Sequence, residues 1–198
     1  MIKKSTTIVL VAAALIAGFI GGVFFSTFSR PAPGLGDRNA PLSLNPPPKQ
    51  DGEEARALKA ELTALEEAIR KDPQNVRLYI QAGNLLFDHD VDDEALPFYD
   101  RALEIGGENP DVLTDAGICW RRLGDSAKAV EYFRRARKAD PKHGNSALNL
   151  GIVLFHDLQD TKGALEAWRE YLLLNPQGER AEMIRRVVSQ IESRSGTE

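Results

Sequence analysis

From residue 53 onward the apolar residues fall at helical intervals, and then the pattern begins to repeat itself. Leu58, Leu62, Leu65 and Ile69 stand three or four positions apart, which predicts an amphipathic helix over residues 53–73. Between residues 76 and 176 a longer period takes over. Ala82-Gly83, Ala116-Gly117 and Leu150-Gly151 form one column, Ala95, Ala129 and Ala164 a second, and Tyr99, Phe133 and Trp168 a third, four positions on. Gly83 to Gly117 is 34 residues and Gly117 to Gly151 another 34, while Pro141 to Pro176 is 35, so the third unit holds one extra residue. Each unit is predicted as two helices, giving repeats over 74–107, 108–141 and 142–176. Beyond them, Ala181, Ile184, Val188 and Ile191 line one side of a stripe opposite Arg185, Arg186 and Glu192, the pattern of a capping helix over 177–194 before a tail at 195–198.

Turn chemistry supports the same division. Asn75, and Asn109 followed by Pro110, are helix-start signals, because asparagine accepts an orphan backbone N–H and proline fits the first helical position. The first helix of each unit is expected to end near residues 89, 123 and 157, and the second to start at a column of short oxygen-bearing caps, Asp92, Ser126 and Thr161, with Gly124 in the left-handed turn before the middle one. The glycine column lets an aromatic side chain approach the neighbouring backbone, and Ala102 and Ala136 allow close crossing. Tyr171 departs from that alanine column. Pro97 departs too: inside a helix it removes a backbone bond at a cost of up to ~3 kcal/mol unless the helix starts late, which would make the first repeat the least regular. The end of the 53–73 segment, Ala68-Ile69-Arg70-Lys71-Asp72-Pro73, echoes Ala136-Arg137-Lys138-Ala139-Asp140-Pro141, so it reads as a half repeat.

The period, the small-residue columns, the aromatics and the closing prolines together resemble the tetratricopeptide repeat (TPR) family. That resemblance implies an all-α chain, an α-solenoid of three helical hairpins with flanking helices, about eight helices in total, that binds other proteins. It also implies that positions two, five, nine and twelve of each first helix line a concave groove for a protein or peptide client. Here these are Arg77, Ile80, Asn84 and Phe87, then Asp111, Thr114, Ile118 and Arg121, then Asn145, Leu148, Ile152 and Phe155. The mixture reads as a wet groove with hydrophobic pockets, in which Asn84 and Asn145 offer both donor and acceptor to a peptide backbone. The competing reading is that some apolar members simply pack between neighbouring helices. The subclass that clamps an acidic C-terminus needs a lysine and asparagine set; this chain has Asn84 but Ile80, Asp111 and Asp115 at the other places, so an acidic C-terminus is not the expected ligand.

Ahead of the repeats, Ile8 to Phe28 contains no charged residue over 21 positions, enough to cross ~30 Å of hydrocarbon as a helix. It reads as an uncleaved anchor spanning 6–28 after a short tail at 1–5. A cleaved leader is the weaker reading, since Thr27-Phe28-Ser29 before Arg30-Pro31 makes a poor cleavage site. Lys3 and Lys4 keep the N-terminus in the cytoplasm and send the repeats across a bacterial inner membrane to the periplasmic side. Ala14, Gly18 and Gly22 form a smooth strip that offers a homodimer contact, although small residues are common in such helices anyway. Residues 29–52, with six prolines, read as a tether spanning at most about 75 Å when extended and nearer 30 Å as a coil.

Charge and cysteine content narrow the chemistry. After Lys3 and Lys4 are set aside, 23 basic residues face 29 acidic ones, a net charge of −6 that argues against nucleic acid as a partner. The single cysteine, Cys119, rules out an internal disulfide, a CxxC centre or a zinc cluster, and its apolar helix suggests a packed thiol. The run Asp88-His89-Asp90 with Asp92, Asp93 and Glu94 reads as solvated caps ahead of a metal site, and Arg121, Arg122, Arg134, Arg135, Arg137 and Lys138 as a solvated basic face ahead of a site for an acidic partner or lipid. Without a Ser, Cys or metal catalytic motif, no enzyme activity, metal or cofactor is expected. The order of parts resembles bacterial inner-membrane TPR assembly factors, including those of cytochrome c maturation, which implies a membrane-anchored scaffold that holds a client. The alternative is a self-associating component of a pilus, secretion or envelope complex, and a cytoplasm-facing adaptor is a third reading.

Overall fold

A computed structural model of the protein describes residues 51–195. The expected anchor, the Ala14–Gly18–Gly22 strip and the tether up to residue 50 lie outside the described residues, while residues 51 and 52, expected to end the tether, already belong to the first helix. Among the described residues no helix is long and apolar enough to cross a membrane. They form eight helices: α1 Asp51–Lys71, α2 Val76–Asp88, α3 Asp92–Gly106, α4 Pro110–Arg122, α5 Ser126–Ala139, α6 Gly144–His156, α7 Thr161–Leu174 and α8 Glu179–Ser195. The hairpins are α2–α3, α4–α5 and α6–α7. Each second helix also packs on the first helix of the next hairpin, and the first helices stack α2 on α4 and α4 on α6. Helix α1 occupies the place of a second helix against α2, and α8 closes the other end against α7.

The repeated columns do in three dimensions what their spacing promised. Tyr99, Phe133 and Trp168 are fully buried, as are Ala95, Ala129 and Ala164. Each aromatic ring lies against the glycine of its own hairpin: a Cβ on Gly83 would stand 2.6 Å from Tyr99 Cε1, and one on Gly117 would stand 2.6 Å from Phe133 Cε1. Gly151 faces Trp168 in the same way. Ala102 and Ala136 are buried at the crossings, and Tyr171 fills their column, also buried, on the helix against which α8 packs. Gly117→Ala therefore sets a helix-propensity gain of roughly 1 kcal/mol against overlap with a ring that is 0% exposed and has nowhere to go. Overlap should win, lowering stability by about 1–2 kcal/mol in urea titration; an unchanged or higher midpoint would mean that the ring is not seated on this backbone.

Several local expectations need correction. The caps of the second helices lie one residue earlier than the column Asp92, Ser126, Thr161: Asp125 accepts from the backbone N–H of Lys128 and Asp160 from that of Gly163, while Val91 in the first repeat has no side-chain cap bond. Asn75 makes no cap bond either; its amide donates to Asp72 at 3.0 Å. Asn109 does cap α4, accepting from the N–H groups of Asp111 and Val112, and Gly124 takes the positive φ of 86°. Helix α3 does not start late to avoid Pro97 but begins five residues before it. Pro97 and Asp93, whose carbonyl loses its partner, are both exposed, so solvent can supply the missing bond.

The basic run is not a solvated face. Arg121 forms a two-pronged pair with Asp157, Arg122 reaches Asp90 at 3.1 Å and Asp92 at 3.2 Å, Arg135 grips Glu108 and Arg137 grips Glu170. Tyr132 donates to Asp100 at 2.8 Å and His143 meets Asp111 at 2.9 Å. Each of these pairs joins residues about one repeat apart, from 27 to 36 positions. They fix the register between successive hairpins; Arg134 and Lys138 remain exposed.

Candidate peptide-binding wall

The first helices of the three hairpins, α2, α4 and α6, stack side by side and carry the twelve positions implied by the family resemblance. Arg77, Asn84, Asp111 and Asn145 are exposed, and Ile80, Phe87, Ile118, Arg121 and Phe155 are half-buried. Thr114, Leu148 and Ile152 are 3%, 1% and 6% exposed and belong to the interior. Stacking explains the difference: position five of α4 and α6 lies where a neighbouring first helix packs, whereas Ile80 is on the first such helix. Thr114 turns its hydroxyl inward to donate to the carbonyl of Pro110 at 2.8 Å, with His143 Nδ1 at 3.4 Å.

Other positions on the wall are half-engaged. The ring of Phe87 is covered by the guanidinium of Arg122, 4.5 Å from its centroid, and packs against the core. Arg121 is committed to Asp157. Phe155 lies against Trp168 at 5.5 Å between centroids. Asn84 already uses one acceptor site within the fold, because Tyr99 donates its hydroxyl to Asn84 Oδ1 at 2.9 Å. Burial, reinforced first by Asp115, holds that hydroxyl well above its usual range, so it stays a donor and the Asn84 amide turns its NH2 outward. Cys119 behind the wall is buried, and its thiol is pushed up chiefly by that burial, as expected of a packed side chain.

Two residues outside the twelve change the character of the wall. Asp115, one turn beyond Asp111 on α4, is raised to about 7, first by burial and then by the carboxylates of Asp111 and Asp88, with Arg122 pulling the other way. Asp88 ends α2 and is exposed. Between α1 and α2 an open cleft of about 480 Å³ is lined by Glu61, Leu65, Gln81, Asn84, Leu85 and Asp88. A signal for this polar row exists in the sequence: the column immediately before the small residues is polar in all three repeats, as Gln81, Asp115 and Asn149.

The surface is thus a shallow wall with a protruding amide, half-exposed isoleucines and several carboxylates. The profile for the tetratricopeptide repeat matches residues 62–110 and 121–182, more than half of the 198 residues. The chain is 34% identical over 77 residues to the heat-shock protein cognate co-chaperone sgt12 of Aspergillus fumigatus, covering 39% of this chain and 22% of that protein. It is 34% identical over 71 residues to the protein CTR9 homolog of Arabidopsis thaliana, covering 36% and 6%. The chain therefore matches only a small part of the length of these relatives. Among solved structures, that of MamA superposes with a TM-score of 0.63 at 15% identity, covering 72% of this chain and 83% of that one. The first TPR of Spaghetti, bound to the HSP90 peptide SRMEEVD, superposes with a TM-score of 0.56 at 24% identity, covering 62% and 96%. The fold is shared with both, and the repeat profile over more than half its length shows that this chain belongs to the tetratricopeptide repeat family.

Proposed function

We propose that the protein is a membrane-anchored, non-catalytic scaffold whose inner wall holds an extended segment of a client protein. Residues 6–28 would fix it in a bacterial inner membrane with the repeats on the extracytoplasmic side, and the client would be held for an envelope assembly, of which cytochrome c maturation is the instance the order of parts resembles. The observation that carries the binding reading is the exposed set Asn84, Asp111 and Asn145 beside half-exposed Ile80 and Ile118, a polar and apolar mixture on the stacked first helices. The co-chaperone relative and the peptide-bound neighbour agree with a peptide-binding use of the fold.

A photo-crosslinking amino acid placed at Asn145, and separately at exposed Glu131 on α5, tests this in the native membrane. Adducts with another polypeptide should form from position 145 and not from 131. Adducts only with a second copy of the chain would favour the self-associating envelope component. Protease treatment of spheroplasts should digest the repeats; their protection would reverse the topology.

A further inference from the structure

The cations and anions of the inner wall are not used alike. Arg121 is bonded to Asp157, and Arg122 spends its guanidinium on Asp90, Asp92 and the carbonyl of Phe87. Arg77 is exposed but sits eleven residues before Asp88, about 16 Å along α2. On the opposite side of the balance, Asp88 is exposed, Asp111 is 79% exposed and meets His143, and Glu61 adds a carboxylate across the α1–α2 cleft. Asp115 lies among them, held near neutrality by burial and then by the repulsion of Asp111 and Asp88. Around these groups the face remains partly apolar, with Ile80 and Ile118 half-exposed and Leu65 and Leu85 lining the cleft. The Asn84 amide, fixed by Tyr99, points its NH2 toward whatever backbone carbonyl arrives.

We propose that the wall formed by α2 and α4 docks a cationic segment, an extended stretch in which lysine or arginine alternates with apolar residues. This rests on the reading that the inner wall is the client site, and it names the client's chemistry. Charge complementarity selects it: Arg121 and Arg122 are consumed internally and Arg77 lies far along α2 from Asp88, whereas Asp88 and Asp111 oppose the charge on Asp115, and all three gain from an incoming ammonium or guanidinium group. The apolar positions between them give the alternate side chains somewhere to rest. The segment is opposite in charge to the acidic SRMEEVD peptide held by the structural neighbour.

Fluorescence anisotropy with the full chain in detergent provides the test, using a labelled peptide of about a dozen residues alternating lysine and leucine and a counterpart with glutamate for lysine. The lysine peptide should bind the more tightly, and Asp88→Asn with Asp115→Asn should weaken it about tenfold. Glu131→Gln with Glu166→Gln, which remove two exposed charges from α5 and α7, should leave it unchanged. Equal binding of both peptides, or equal losses in the two double variants, overturns the inference. Ile118→Ser separates the two levels of argument: if it weakens either peptide the wall is the site whatever its charge preference, and if it weakens neither the wall itself is not the site and both readings fall.

Discussion

Trp168→Ala should be among the most damaging single substitutions in this protein, lowering stability by about 3–5 kcal/mol. Trp168 is 1% exposed, lies against the backbone at Gly151 and the ring of Phe155, and donates its Nε1 hydrogen to the carbonyl of Leu148 at 3.3 Å. Alanine would leave a cavity between α6 and α7 and remove that donor from a buried carbonyl. The loss should also be local in a characteristic way. Each hairpin packs only on its neighbours, so stability is the sum of units and interfaces. Hydrogen exchange of the variant should show α6, α7 and α8 opening first, while α2 and α3, two interfaces away, keep most of their protection. Uniform loss of protection in all helices would mean a single closed core, which is incompatible with a stack presenting an inner wall.

The same neighbour-only packing explains what the sequence could and could not reveal. Period, glycine columns and aromatics are short-range signals, separated by at most one hairpin, and they located the three hairpins and the seat of Tyr99, Phe133 and Trp168. The half repeat at α1 followed from amphipathic spacing together with the echo of residues 136–141 in 68–73, and the terminal α8 from amphipathic spacing. Cap positions were legible only to within a residue, because Asp125-Ser126 and Asp160-Thr161 each place two good caps side by side and only geometry chooses between them. The wall was legible in part. Whether position five of a first helix is buried depends on the first helix packed before it in the stack, so Thr114 and Leu148 disappear inside while Ile80 does not. The basic run was misleading for a similar reason: Arg121 and Arg137 find their carboxylates 36 and 33 residues away, and composition within a window cannot show that.

Asp115→Asn should do the reverse of Trp168→Ala and stabilise the protein, by an amount that depends on pH. The carboxyl rises from an ordinary 3.8 to about 7 on folding, because burial first and then Asp111 and Asp88 oppose its ionisation more than Arg122 favours it. Between those two values the unfolded chain has already released the proton that the folded chain keeps. The folded state is therefore favoured at the acid end, and its advantage falls as pH rises through the window and levels off above about 7. Asparagine has no proton to lose. The gain from the substitution should be small near pH 4 and approach about 3 kcal/mol near pH 8, after allowance for the partial exposure of the carboxyl. Urea titrations of both proteins at the two ends of this range measure the difference, and other groups titrate alike in both and cancel. A destabilised variant at high pH would show that the carboxylate makes a bond the fold requires. A stabilised variant that also loses its cationic peptide would identify Asp115 as a residue that costs the fold stability and contributes to recognition, the combination expected where a folded chain keeps a strained charge for a partner.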